Sequence, residues 1–303
     1  MALGPAAQGN RGRVVAAAMT PALLAFAILL GLAGPAMAQE IRPTLDKIKE
    51  TGAIQLGYRE TSRPLSFVGT DGQPAGYSVD LCLQVVAALR QRLKLSELKG
   101  HWVSVTPAVR VARLAKGTID LECGSTTITF GRMEQVAFSH MIMVDGGSLL
   151  ATVDSKVGDI KDLSGKRVGV IANTTTEKAL ADAFIAAGVK AQVVVVADHG
   201  EGLQGLETGR LDAYASDRLL LAGLLATAKN PAKLRLSGEL YSYEPYALML
   251  RRGDNAFQAE VNRALSALYR SKQIVPIYEK WFGPLGSASP LVQALYLLHS
   301  WPE

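Results

Sequence analysis

Two hydrophobic periods take turns along this chain. Short apolar runs of strand length lie at 53–58, 101–105, 147–152, 167–171, 191–196, 211–215 and 245–250, and the run at 191–196 is largely β-branched. Between them, apolar positions at helical spacing predict helices over 45–51, 78–94, 108–115, 177–187, 202–208, 218–227 and 256–270. In the helix over 78–94, Val79, Cys82, Val86, Leu89 and Leu93 share a stripe and Ser78 stands as the cap. Thr174-Thr175-Thr176-Glu177 reads as a capping box opening the next long helix. Residues 59–76 read as a loop with Asp71-Gly72 as a hairpin signal, and 158–166 as a polar turn. Strands alternating with helices argue for an α/β fold built on parallel sheets.

The stretch from Glu122 to Arg132 carries the first chemistry. A short buried strand ends there in Gly124, Ser125, Thr126 and Thr127, and Arg132 follows. Hydroxyls and unpaired backbone N–H groups at a strand end suit an anion. An Arg nearby can grip a carboxylate through two parallel hydrogen bonds. A Ser/Thr-rich turn capping an ordinary helix fits the same residues. The strand-then-helix-start pattern recurs at 173–176, with Thr175 and Thr176. Two such half-sites suggest two lobes, each offering a helix N-terminus to one ligand.

The chain has 303 residues, 49% of them hydrophobic, enough for two modest domains or one large one. Its net charge of +5 says little about nucleic acid and is compatible with a site for anions. Arg11 and Arg13, an apolar stretch over 14–32 and Ala36-Met37-Ala38 read as a signal peptide cleaved after Ala38. No later apolar run is long enough to span a membrane, so the mature protein is expected to be soluble. Cys82 and Cys123 are the only cysteines, and either one disulfide or two buried thiols fits them. No His or Cys cluster suggests a metal.

The wording G-T-x-D, then Thr127, then Arg132 through Phe138-Ser139, resembles the family 3 solute-binding proteins of polar amino-acid ABC importers. The resemblance is closer to their glutamate/aspartate-binding branch. Gly57-Tyr58-Arg59-Glu60, Gly76-Tyr77-Ser78-Val79-Asp80, Asp198-His199-Gly200 and Lys280-Trp281-Phe282 follow in the family's order, so the likeness covers roughly 44–283. It implies a two-lobed, type II periplasmic-binding-protein-like α/β fold, each lobe a mainly parallel sheet flanked by helices, joined by a two-strand hinge. The expected organisation is a signal peptide over 1–38, lobe 1 over 39–146, lobe 2 over 147–242, a return to lobe 1 over 243–283 and a tail over 284–303. The crossings are placed near 145–149 and 240–246. The apolar tail segment 291–301 either docks as a helix on its own lobe or forms a contact surface.

The resemblance also implies roles. A zwitterion needs partners for both charges, because burying either unpaired costs several kcal/mol. Arg132, aided by Ser125, Thr127 and Thr175, falls to the α-carboxylate, and Thr176 shares the second half-site. Asp217 matches the acid for the α-ammonium, and also fits a helix N-cap. Arg59, Arg110 and His199 match positions that hold a side-chain carboxylate. Pro107 departs from the branch, which has a hydroxyl there. The expected function is a periplasmic substrate-binding component of an ABC importer, taking L-glutamate or L-aspartate by hinged closure. Its partner is a membrane permease, and the chain is read as a monomer. No cofactor, metal, nucleic acid or catalysis is expected. The alternatives are a cyclohexadienyl dehydratase-like enzyme on the same fold, with Glu122 or Glu244 as the general acid it would need, or a sensor module.

Overall fold

The structure, a computed structural model, describes residues 42–302; the signal-peptide expectation therefore falls outside the described residues. The chain begins with helix α1 (Thr44–Thr51), strand β1 (Ala53–Tyr58), three short strands β2 (Thr61–Ser62), β3 (Ser66–Val68) and β4 (Pro74–Ala75), and helix α2 (Tyr77–Arg92). Strand β5 (Lys99–Ser104), helix α3 (Arg110–Ala115), strand β6 (Leu121–Glu122), the short helix α4 (Phe130–Met133) and strand β7 (Val136–Asp145) follow. The middle of the chain runs β8 (Gly147–Thr152), β9 (Arg167–Ile171), α5 (Thr175–Ala187), β10 (Gln192–Val196), α6 (His199–Glu207), β11 (Ala213–Asp217), α7 (Arg218–Leu225) and β12 (Leu234–Leu236). It closes with β13 (Glu244–Arg251), α8 (Asn255–Arg270), α9 (Ile274–Phe282) and α10 (Pro290–Leu298).

These elements form two five-stranded sheets, ordered β5-β1-β6-β13-β7 and β10-β9-β11-β8-β12, with a three-stranded sheet of β2, β3 and β4 at the side. In the first, β5, β1 and β6 are parallel and β13 runs against β6 and β7. In the second, β10, β9 and β11 are parallel and β8 runs against β11 and β12. The sheets are thus mixed, with one reversed strand in each, and that strand belongs to a connection between lobes. The chain leaves the first sheet at Asp145, enters the second at Gly147, and returns between Leu236 and Glu244. The two connections touch closely: a Cβ on Gly146 would lie 2.5 Å from the Ser242 carbonyl oxygen.

Local chemistry fixes the helix starts that matter. Thr174 Oγ1 accepts from the Glu177 N–H at 3.1 Å and begins α5. The Glu177 carboxylate reaches back to Asn173 N–H at 2.8 Å, so the expected capping box closes one residue early. Ser78 does not cap α2. Gly76 does, at φ 132, and a Cβ there would meet the Leu65 carbonyl at 2.3 Å; the Ser78 hydroxyl is buried with no partner among the described residues. The expected loop over 59–76 instead carries β2, β3 and β4, and the Asp71-Gly72 turn joins the last two.

One large core lies under the first lobe. Ile54, Leu56, Leu81, Val85, Leu248, Phe257 and Leu265 are fully buried in it. The tail takes the docked alternative: α10 buries Val292, Leu295 and Tyr296 in this core, and Tyr296 OH meets Tyr77 OH at 2.8 Å. Cys82 and Cys123 are joined in a disulfide with Cα atoms 6.1 Å apart, which selects between the two expectations for these residues. It closes a loop of 41 residues. Constraining such a loop in the unfolded chain is worth about 2–4 kcal/mol, and Cys82→Ala/Cys123→Ala is expected to lose that much in urea unfolding. A change below about 1 kcal/mol contradicts the expectation.

Candidate ligand-binding site

A cleft between the two lobes gathers the residues singled out from the sequence. Arg59, Arg110, Ser125, Thr127 and Arg132 line it from the first lobe, and Thr175, Thr176, His199 and Asp217 from the second. The open space in it, solvent included, is about 390 Å³. The topology explains the convergence. Arg59 follows the end of β1, Ser125 the end of β6, Thr175 the end of β9 and His199 the end of β10, while Asp217 is the last residue of β11. Side chains beyond the carboxyl ends of parallel strands, with helix N-termini beside them, face one crevice.

The cations come from the first lobe. Arg110 is fully buried and donates from Nη1 to Thr126 Oγ1 at 2.5 Å; Thr126 in turn donates to Glu122 Oε2 at 2.7 Å. Arg110 Nη1 lies 3.8 Å from Glu122 Oε1. Gly124 makes room for this pair, because a Cβ there would stand 2.1 Å from Glu122 Oε1. Arg59 has its backbone N–H on Ser66 Oγ at 3.0 Å, and its guanidinium makes no hydrogen bond among the described residues. Arg132 donates to the Thr127 carbonyl at 2.6 Å. Burial first, and then repulsion from Arg110, lowers the pKa of Arg59 and of Arg132 to about 10. Both remain charged at neutral pH, with burial disfavouring their cationic forms.

The second lobe supplies the acid. Asp217 occupies the N-cap position of α7, yet its side chain makes no cap hydrogen bond. The Asp145 carboxylate takes the Leu219 N–H instead, at 2.9 Å. Asp217 is thereby left to the cleft, where Thr176 Oγ1 donates to it at 2.8 Å and the Tyr246 hydroxyl also donates. Burial and then the neighbouring Glu244 raise its pKa to about 6. Asp145 is raised too, by burial and then by Asp217. His199 Nδ1 sits 2.8 Å from Tyr214 OH, and burial followed by the Arg59 charge lowers its pKa to about 3, so the ring is neutral.

Sequence reasoning passed over Asp145, Tyr214 and Tyr246, and considered Glu122 and Glu244 only as general acids. Glu244 is 1% exposed and accepts from Thr127 Oγ1 at 2.6 Å, Thr175 Oγ1 at 2.7 Å and Ser242 Oγ at 2.7 Å. A signal for it existed: an acid heading a strongly apolar run, Tyr246 to Leu250, is a poor choice for a solvated surface.

Residues 54–284 match the family model of bacterial extracellular solute-binding proteins, family 3. The chain belongs to that family. This family 3 protein is 41% identical over 266 residues to an L-glutamate/L-aspartate-binding protein of Pseudomonas aeruginosa, covering 87% of this chain and 88% of the relative. A glutamate/aspartate import solute-binding protein of Salmonella typhimurium is 34% identical, with 87% and 88% covered. Among solved structures, an ancestral arginine-binding protein bound to glutamine superposes with a TM-score of 0.68 at 29% identity, over 77% of this chain and 98% of that one. The family 3 protein thus has the type II periplasmic-binding fold.

Proposed function

We propose that this chain is the periplasmic substrate-binding component of an ABC importer and takes an acidic amino acid, L-glutamate or L-aspartate, in the cleft. The observation that carries the reading is the division of charge: three guanidiniums enter from the first lobe and the acid Asp217 from the second. A ligand with two carboxylates and one ammonium satisfies both sides at once. Arg132 holds the α-carboxylate, aided by Ser125, Thr127 and Thr175. Asp217 holds the ammonium, and Arg59, Arg110 and the neutral His199 hold the distal carboxylate. The import partner is a membrane permease, and the relatives named for glutamate/aspartate binding and import support the assignment. Binding without turnover fits the two candidate acids. Glu122 is engaged by Thr126 and Arg110, and Glu244 acts as acceptor for three hydroxyls.

A thermal-shift screen of the twenty amino acids tests this. Glutamate and aspartate at about 100 times their dissociation constants are expected to stabilise the protein by about 2.7 kcal/mol. Stronger stabilisation by glutamine or a basic amino acid sinks the acidic-ligand reading. Because the ligand bridges lobes, its binding also favours closure, by as much as its affinity differs between the two forms. X-ray scattering is expected to give a smaller radius of gyration with glutamate than without, and an unchanged radius at saturation counts against mobile lobes.

A further inference from the structure

We infer that Glu244 is a positioning residue that ties the two lobes together at the site, and that the Thr127 and Thr175 hydroxyl protons are committed to it and not to the ligand's carboxylate. The inference rests on the binding reading above and departs from it at these two residues. A threonine hydroxyl has one proton to give. Thr127 Oγ1 and Thr175 Oγ1 lie 2.6 and 2.7 Å from the same oxygen, Glu244 Oε2, and 3.2 Å from each other. Ser242 holds Oε1. The carboxylate is buried, so its charge has to be met by donors within the protein.

The placement of these groups makes the contact an interlobe one. Glu244 opens β13 and pairs with Asp145 of β7, where the chain crosses between lobes. Thr127 belongs to the first lobe and bridges the backbone of Tyr246. Thr175 is the first residue of α5 in the second lobe. Moving the lobes apart withdraws Thr175 and exchanges its hydrogen bond to the carboxylate for one to water. The closed arrangement thus gains one charge-assisted hydrogen bond from within the protein. The α-carboxylate of the ligand is left to the Arg132 guanidinium, to Ser125 and to backbone N–H groups at the two half-sites.

The test is a double-mutant cycle between Glu244→Gln and Thr175→Val, read by titration calorimetry with L-glutamate on the full-length mature protein. Each single change is expected to weaken binding about tenfold, and the double variant to stay within about threefold of the weaker single. Thr175→Ser, which keeps the hydroxyl, should bind within about threefold of wild type. Losses that multiply in the double variant mean that Thr175 serves the ligand directly, and they overturn the inference. The same variants are compared without added ligand by hydrogen exchange at the amides of residues 175–180. Faster exchange in each single variant, and no further gain in the double, supports the tie. Exchange identical to wild type overturns it, whichever amino acid the site takes. If wild type binds neither glutamate nor aspartate, the functional reading fails and the exchange experiment alone decides on Glu244.

Discussion

Arg110→Met is expected to cost the fold about 3–5 kcal/mol, the typical penalty for breaking a buried ion pair from one side. Methionine keeps much of the stem's apolar packing. It also leaves Glu122, fully buried and 3.8 Å from Arg110 Nη1, without its cation. Adding Glu122→Gln removes the stranded charge, so the double variant should recover most of the stability while glutamate affinity stays at least about tenfold down. Arg59→Met offers the contrast, because the Arg59 guanidinium is tied to no carboxylate by a hydrogen bond among the described residues. It should lose comparable affinity with a smaller loss of stability. Urea unfolding and calorimetric titration of the three variants measure both quantities. Equal stability losses in Arg110→Met and Arg59→Met contradict the argument.

Asp217→Asn is expected to weaken glutamate binding by about 2–5 kcal/mol, because the ammonium loses a desolvated, hydrogen-bonded counter-charge. The fold should survive. Asparagine still accepts from Thr176 or Tyr246, and the change removes a charge that Glu244 opposes. The same residue sets a pH dependence. Burial and Glu244 raise the Asp217 pKa to about 6. The ionised form binds the ammonium, so affinity should fall as pH drops through that value and rise to a plateau above it. Asp217→Asn should flatten this slope. A wild-type affinity that stays constant from neutral pH to below the Asp217 pKa, or an unweakened Asp217→Asn, removes Asp217 from the ligand.

What the sequence disclosed follows the range of the interactions involved. Strands such as Ala53–Tyr58 and Arg167–Ile171 and the amphipathic helix Asn255–Arg270 carry their period locally, and their bounds differ from expectation by a residue at most. Helix Ile274–Phe282 went unseen because Pro276 interrupts a short apolar pattern, although proline is tolerated in a helix's first turn. The strands of the 61–75 segment are two or three residues long, too short to show alternation. The first ligand candidates were legible because they lie in short motifs. Asp145 and Glu244 were not, because each becomes a site residue only through distant partners. Asp145 pairs with Glu244 on β13, and Glu244 meets Thr175 on the second lobe. Cys82 and Cys123 show the same limit: stripe and strand end were readable, but their meeting is a tertiary fact.

That covalent link has a bearing on the thermodynamics of capture. Cys123 is followed directly by Gly124, Ser125, Thr126 and Thr127, so the bridge to α2 pins the root of a segment that lines the cleft from the first lobe. Within that segment Thr126 is held by Glu122 and itself holds Arg110, and Thr127 is held by Glu244. On the proposed reading, the first lobe's share of the recognition surface is thus largely preorganised, and little loop entropy remains to be lost there when an amino acid arrives. The entropic cost of binding then falls on the relative motion of two rigid bodies. Glutamate binding should accordingly show the modest, negative heat-capacity change of apolar surface closing in a cleft, and not the large one of a segment folding around its ligand.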